Sequence, residues 1–116
     1  MGKGKPAKYR NKKVEWEGMK FDSIREFERF QELHLLERAK KISGLIHQYR
    51  IKLSCGGIPV RSKKGRHLAY VVDFTYWDHE LGRQRFEDVK GYNTPLGDLK
   101  IAVVEAETGN EIEIVR

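Results

Sequence analysis

Asp73, Asp88 and Lys90 have the residue types and spacing for chemistry assisted by a metal ion. In Phe86-Glu87-Asp88-Val89-Lys90, an extended backbone sends side chains two apart to one face, so Asp88 and Lys90 stand together while Glu87 and Val89 face away. Residues 68–77 are rich in strand formers, and a short turn, Asp78-His79-Glu80-Leu81-Gly82-Arg83, separates them from a second strand over 84–90. A hairpin turning between Glu80 and Leu81 sets Asp73 across from Asp88, with Cβ atoms about 4.5 to 5.5 Å apart. Like charges so placed destabilise a hairpin unless something positive lies between them. A divalent cation and Lys90 would both compensate, and hard oxygen donors favour Mg²⁺ or Mn²⁺ over zinc. The inference depends on register, because a slip of one residue turns Asp73 to the other face.

A third carboxylate, Glu26, has two readings. Ser23-Ile24-Arg25-Glu26 is a capping box, in which the glutamate returns to the Ser23 backbone N–H. Glu26 also shares a helical column with Phe30 and Leu33 on the apolar side, where a carboxylate is costly without a partner. The residues alone leave capping and an active-site role both open.

The elements that position these groups follow from periodicity and punctuation. Residues 14–21 alternate around Glu17-Gly18 as a small hairpin, and the capping box opens a helix reaching Lys40 or Lys41, with Gly44 marking its end. A strand over 45–53 places His47, Tyr49, Ile51 and Leu53 on one face. Cys55-Gly56-Gly57 and the basic stretch 61–66 read as an exposed connection to the next strand. Thr94-Pro95 caps a helix through Glu107 that Thr108-Gly109-Asn110 ends, and 111–115 alternates as a last strand. The expected fold class is α/β with a mixed sheet, in the order helix, three strands, helix, strand, behind a small hairpin and a basic arm.

Charge is placed unevenly. The six basic side chains Lys3, Lys5, Lys8, Arg10, Lys12 and Lys13 account for the whole excess of 23 Lys and Arg over 17 Asp and Glu. Residues 1–13 therefore read as a flexible basic arm suited to phosphate backbones, and 14–116 as one domain. Arg61, Lys63, Lys64 and Arg66 form a second basic segment available to nucleic acid. A solubilising tail is the plain alternative for the arm. A single cysteine, Cys55, excludes an internal disulfide and a CxxC knuckle. The absence of a long apolar run or a signal-like N-terminus points to a cytoplasmic protein without membrane contact.

Asp73, followed by Asp88-Val89-Lys90 fifteen residues on, resembles the signature of the PD-(D/E)XK nuclease superfamily. Lys20-Phe21-Asp22-Ser23 with Glu26, Val72-Asp73-Phe74 and Glu87-Asp88-Val89-Lys90-Gly91 are similar to a small phage-encoded branch of it, over nearly the whole chain after Lys8. The resemblance implies a restriction-endonuclease-like αβββαβ core and Mg²⁺-dependent hydrolysis of DNA phosphodiester bonds, with Mn²⁺ able to substitute. Asp73 and Asp88 would hold the metal, which polarises the phosphate and activates an attacking water. Lys90 would steady the transition-state charge, and Glu26 matches the helical acid. Val72 stands where the signature has Pro, and Glu87 competes with Asp88 for the acidic position; alternation selects Asp88. Branched DNA such as a Holliday junction is the substrate type this implies, in the host cytoplasm for a phage protein. Symmetric cuts would require a homodimer. A nucleic-acid-binding module that does not cleave is the alternative function.

Other candidates carry less. His34, His47, His67 and His79 lack metal-ligand spacing and read as surface or interface residues. Gly56-Gly57 and Gly91 match no phosphate-binding loop. Ser54 and Cys55 have no base brought near them by sequence. Tyr92, Asn93 and Lys100 follow the triplet and could line a substrate groove.

Overall fold

The computed structural model describes residues 12–116. The first element is a tight hairpin, β1 (Val14–Trp16) and β2 (Met19–Phe21), whose turn residues Glu17 and Gly18 both have positive φ, 47° and 81°. That backbone twist matches the twist of paired strands. Ser23 then caps helix α1 (Ile24–Arg38), accepting the Glu26 backbone N–H at 3.0 Å. The inward column of this helix is Glu26, Phe30 and Leu33, as its spacing predicts.

Helix α1 ends sooner than the sequence suggests, and Gly44 is not its cap. Lys40 takes the left-handed conformation at φ 64°. Its N–H bonds the Glu37 carbonyl at 3.0 Å, and the Lys41 N–H bonds the Leu36 carbonyl at 2.9 Å. The pair forms a Schellman closure on a residue that pays a Cβ penalty there. Gly44, at φ 66°, instead serves a bulge in strand β3 (Ile42–Lys52), where the register shifts between Ser43 and Ile46.

The central sheet has four strands in the order β3, β6, β7, β8. Strand β6 (Ala69–Asp78) pairs antiparallel with β3 and with β7 (Arg83–Val89), and β8 (Ile112–Val115) runs parallel to β7. The parallel step requires a crossover, supplied by α2 (Pro95–Thr108). Thr94 caps α2 by accepting the Gly97 N–H at 3.0 Å, Pro95 occupies the first turn, and Gly109 closes it at φ 74°. Among the described residues the fold is thus mixed α/β: two helices, a four-stranded mixed sheet and two small hairpins. Among the described residues, no helix is long and apolar enough to cross a membrane.

The second hairpin lies in the stretch expected to be a plain exposed connection. Strands β4 (Ser54–Cys55) and β5 (Ile58–Pro59) turn through Gly56 and Gly57, and Leu53, Val60 and Leu68 exchange backbone hydrogen bonds of 2.9 to 3.0 Å. Glu107 of α2 accepts both the Gly56 and Gly57 N–H groups at 2.9 Å, which fastens this excursion to the domain. Buried Leu53 anchors it from within.

Two hydrophobic clusters flank the sheet. Phe21, Phe30, Leu33, Ile42, Phe74 and Tyr76 gather under α1; Leu53, Tyr70, Val72, Val104 and Ile112 gather under α2. On β7 the sides alternate, with Glu87 and Val89 toward α1 and Phe86 toward α2. On β6 they do not. Strict alternation would keep Tyr70, Val72, Phe74 and Tyr76 on one face, yet the first two join the α2 cluster and the last two the α1 cluster. The change falls at Asp73, across from Gln48, whose φ is 60°.

The Lys40 closure gives a direct check. Lys40→Gly should stabilise the protein by about 0.5 to 1 kcal/mol, relief of the left-handed strain exceeding the extra chain entropy. Denaturant unfolding would measure it, and an unchanged or lower midpoint would show that Lys40 bears no such strain.

Candidate active site

The register of β6 and β7 decides whether the two aspartates meet. Phe74 pairs with Glu87, Thr75 with Phe86 and Tyr76 with Arg85, the register expected from a turn centred between Glu80 and Leu81. Phe74–Glu87 is the last rung, and Asp73 and Asp88 are the next residues on each strand. Beyond that rung the Val89 N–H donates not to β6 backbone but to the Asp73 carboxylate, Oδ2, at 2.7 Å. A side chain has taken the place of a ladder bond, and the strands part at the acids.

Asp73, Asp88 and Lys90 converge there. The Asp88 carboxylate is felt at Asp73, and Lys90 Nζ lies 3.2 Å from Asp88 Oδ2. Burial pushes the Asp73 carboxyl up to about 8, reinforced by the charge of Glu26 and by Asp88 and opposed by the Val89 N–H. Burial pulls the Lys90 ammonium down, but hydrogen bonding to Tyr70 and the Asp88 charge outweigh it, and the net shift is upward. Lys90 is therefore a cation across the physiological range.

Glu26 belongs to the same cluster, and its side chain does not make the reciprocal capping bond to the Ser23 N–H. Its backbone N–H satisfies Ser23, while its side chain, almost fully buried, meets His47 Nε2 at 2.6 Å through Oε2. The Glu26 charge is felt at Asp73, which puts the helical acid beside the strand acids. His47, expected at the surface, is 11% exposed and packs its ring against Phe21 and Phe74, with centroids at 4.6 and 5.4 Å. Alternation groups it with Tyr49, Ile51 and Leu53, but the left-handed backbone at Gln48 turns His47 to the α1 side while those three pack with the α2 cluster, so periodicity could not have flagged it.

Tyr70 is a second residue that sequence reasoning passed over. Its hydroxyl donates to Asp88 Oδ2, and Lys90 Nζ sits 5.7 Å from its ring centroid. Burial and the bond to Asp88 push the phenol up to about 12, so it stays a donor at neutral pH.

Glu87, the competing acid, faces the other way. It takes a bidentate ion pair from Arg29 at 2.6 and 2.7 Å and a hydrogen bond from the Tyr76 hydroxyl beneath α1. These partners hold it as a structural anion between helix and sheet, and Asp88 is the acid that lies with Lys90.

The basic candidates divide. Lys3, Lys5, Lys8 and Arg10 lie outside the described residues, while Lys12 and Lys13 are exposed. Arg61, Lys63, Lys64 and Arg66 are also exposed, on a loop closed by the Ser62 N–H to the Arg66 carbonyl at 2.9 Å. The loop enters β6 just before Tyr70, so it emerges from the end of the sheet where Tyr70 touches Asp88. His67 bonds the Leu53 carbonyl at 2.8 Å, and Tyr92 is widely exposed.

The donor set suits a hard cation with few protein ligands. Among the described residues, no three His, Cys, Asp or Glu side chains are disposed to cage a metal ion. Two aspartate oxygens on a partly buried pair fit Mg²⁺, which keeps much of its water shell and commonly binds through one or two carboxylates.

The Asp73 environment predicts a stability profile in metal-free buffer. Its folded-state value lies above the unfolded one, near 3.9, so its stabilising contribution is whole below about pH 4 and is lost as pH rises through about 8. Wild-type protein should melt progressively lower between about pH 4 and 8 and level off above, and Asp73→Asn should flatten that decline, melting on the order of 5 °C higher at pH 9. Parallel declines in both proteins would place the strain elsewhere.

No curated relative and no solved structure matches the chain. A family match covers residues 6–111, and by that span the chain belongs to the family described as "Protein of unknown function (DUF1064)".

Proposed function

We propose that this chain is a Mg²⁺-dependent endodeoxyribonuclease of the PD-(D/E)XK type, acting on branched DNA. The observation that carries the reading is the meeting of Asp73, Asp88 and Lys90 where β6 and β7 part, with Glu26 beside them. A buried carboxylate pair with an adjacent lysine is an expensive arrangement for a fold to maintain. It has a use where a cation and a phosphate are to be held together.

In this reading Asp73 and Asp88 would hold Mg²⁺, which would polarise the phosphate and lower the pKa of a bound water. Lys90, charged and tethered to Asp88, stands where it can contact a phosphate oxygen and stabilise the charge that builds there. Glu26 is placed to orient a water or accept its proton, since its carboxylate is near Asp73 and is fixed by His47. The exposed loop carrying Arg61, Lys63, Lys64 and Arg66, together with the basic residues of 1–13, would hold the DNA backbone on either side of the scissile bond. Two copies of the chain would cut a four-way junction symmetrically.

Cleavage of linear, nicked, single-stranded and four-way DNA tests the reading. Cutting should require Mg²⁺ or Mn²⁺, stop with EDTA, and fall at least about 100-fold in Asp73→Asn, Asp88→Asn and Lys90→Ala. DNA binding that is indifferent to metal, with no cleavage of any substrate, would favour a non-catalytic binding module. Cutting retained by all three variants would reject the assignment of the site.

Deleting residues 1–13 should weaken DNA binding and make its salt dependence shallower, by up to about five in the log–log slope if the six charges each meet a phosphate. Filter binding or fluorescence anisotropy between 50 and 200 mM salt, roughly the range over which counterion release is read, would measure it. An unchanged slope would reduce the arm to a tail.

A further inference from the structure

The three acids share a pattern of partners. Asp73 gives Oδ2 to the Val89 N–H at 2.7 Å, Glu26 gives Oε2 to His47 at 2.6 Å, and Asp88 gives Oδ2 to both the Tyr70 hydroxyl and Lys90. In each case one carboxylate oxygen is committed to a dedicated donor. Among the described residues, no hydrogen bond reaches the other oxygen: Oδ1 of Asp73, Oδ1 of Asp88 or Oε1 of Glu26. No fully enclosed side-chain oxygen among those residues lacks a partner, so these lobes lie where a ligand or water can reach them.

A carboxylate free to rotate offers either oxygen and spends binding energy on being ordered; one held at a single oxygen presents the other in a fixed direction. Tyr70 is well built for that task. It is 9% exposed, sits among Leu53, Val72 and Val104, and reaches Asp88 from the neighbouring strand. His47 is similarly confined, between Phe21 and Phe74. Neither packing environment requires a polar tip, and each tip is spent on an acid of the site.

We infer that Tyr70 and His47 are positioning residues. Tyr70 fixes the Asp88 carboxylate and, through it, Lys90, so that Asp88 Oδ1 is aimed at the cation; His47 fixes Glu26 so that Oε1 is aimed at the water or phosphate. The inference rests on the nuclease reading above and adds residues that neither the signature nor the charge pattern names.

The test is calorimetric titration of the metal-free protein with Mn²⁺, followed by cleavage kinetics at saturating metal. Wild type should bind Mn²⁺ and Asp73→Asn should not. Tyr70→Phe should bind about 10- to 100-fold more weakly with a melting temperature close to wild type, because Lys90 still satisfies Asp88 Oδ2. His47→Ala should leave Mn²⁺ affinity near wild type but lower kcat about 10- to 100-fold without raising KM. His47→Gln, which can still donate to Glu26, should recover most of that loss. Wild-type Mn²⁺ affinity in Tyr70→Phe, or equal kcat in His47→Ala and wild type, would overturn the inference while leaving the nuclease reading intact. Equal Mn²⁺ binding by wild type and Asp73→Asn would instead refute the metal pair on which both rest.

Discussion

The bond from the Val89 N–H to Asp73 Oδ2 marks the place where a regular hairpin stops being one. Up to Phe74 and Glu87 the strands pair in simple register. One residue further, a carboxylate intercepts the backbone donor, β6 changes sides, and Gln48 on the facing strand takes a left-handed conformation. A sheet that kept its ladder through this point would satisfy Val89 without a side chain and would hold Asp73 within the pleat. Parting the strands leaves the two acids where the ladder ends, and the rest of the molecule holds them in place.

Two polar systems do this holding, and they meet where the Arg85 guanidinium lies over the Tyr76 ring. Arg29, Glu87 and Tyr76 tie α1 to the centre of the sheet, while Arg85 links Asp78 at the turn of β6 to Glu113 on β8. In each, one arginine holds two carboxylates, Arg29 those of Glu87 and Glu32 and Arg85 those of Asp78 and Glu113, and both arginines are held above their ordinary pKa by those partners. The Asp73 cluster differs: three carboxylates face one lysine and one histidine, and burial raises the first acid rather than lowering it. Arg85 lowers Asp78 and Glu113, whereas burial and neighbouring acids raise Asp73, and a perturbed acid of that kind marks a candidate site.

Much of this was legible in the sequence because it depends on local geometry. Alternation sets Asp88 beside Lys90 and turns Glu87 away, the turn length fixes the register that brings Asp73 to Asp88, and the helical column of Glu26, Phe30 and Leu33 points inward as spaced. The contacts that escaped are long in sequence. Tyr70 reaches Asp88 across 18 positions, His47 reaches Glu26 across 21 and Arg29 reaches Glu87 across 58, and no periodicity connects such pairs. Gly44 misled for another reason: a glycine after a helix serves equally as a cap or as a bulge, and Lys40 had already taken the cap. The turn at Cys55-Gly56-Gly57 was legible from its glycines, but the strand pairing around it was not, because Glu107 fastens it from a helix half the chain away.

The central claim is that a divalent cation belongs between Asp73 and Asp88, and anomalous scattering from Mn²⁺-soaked crystals addresses it without reference to any substrate. The account predicts one strong peak about 2.1 Å from an oxygen of each aspartate, with Lys90 still beside Asp88. A map with no peak there, or with manganese bound only at surface acids remote from β6 and β7, would contradict it.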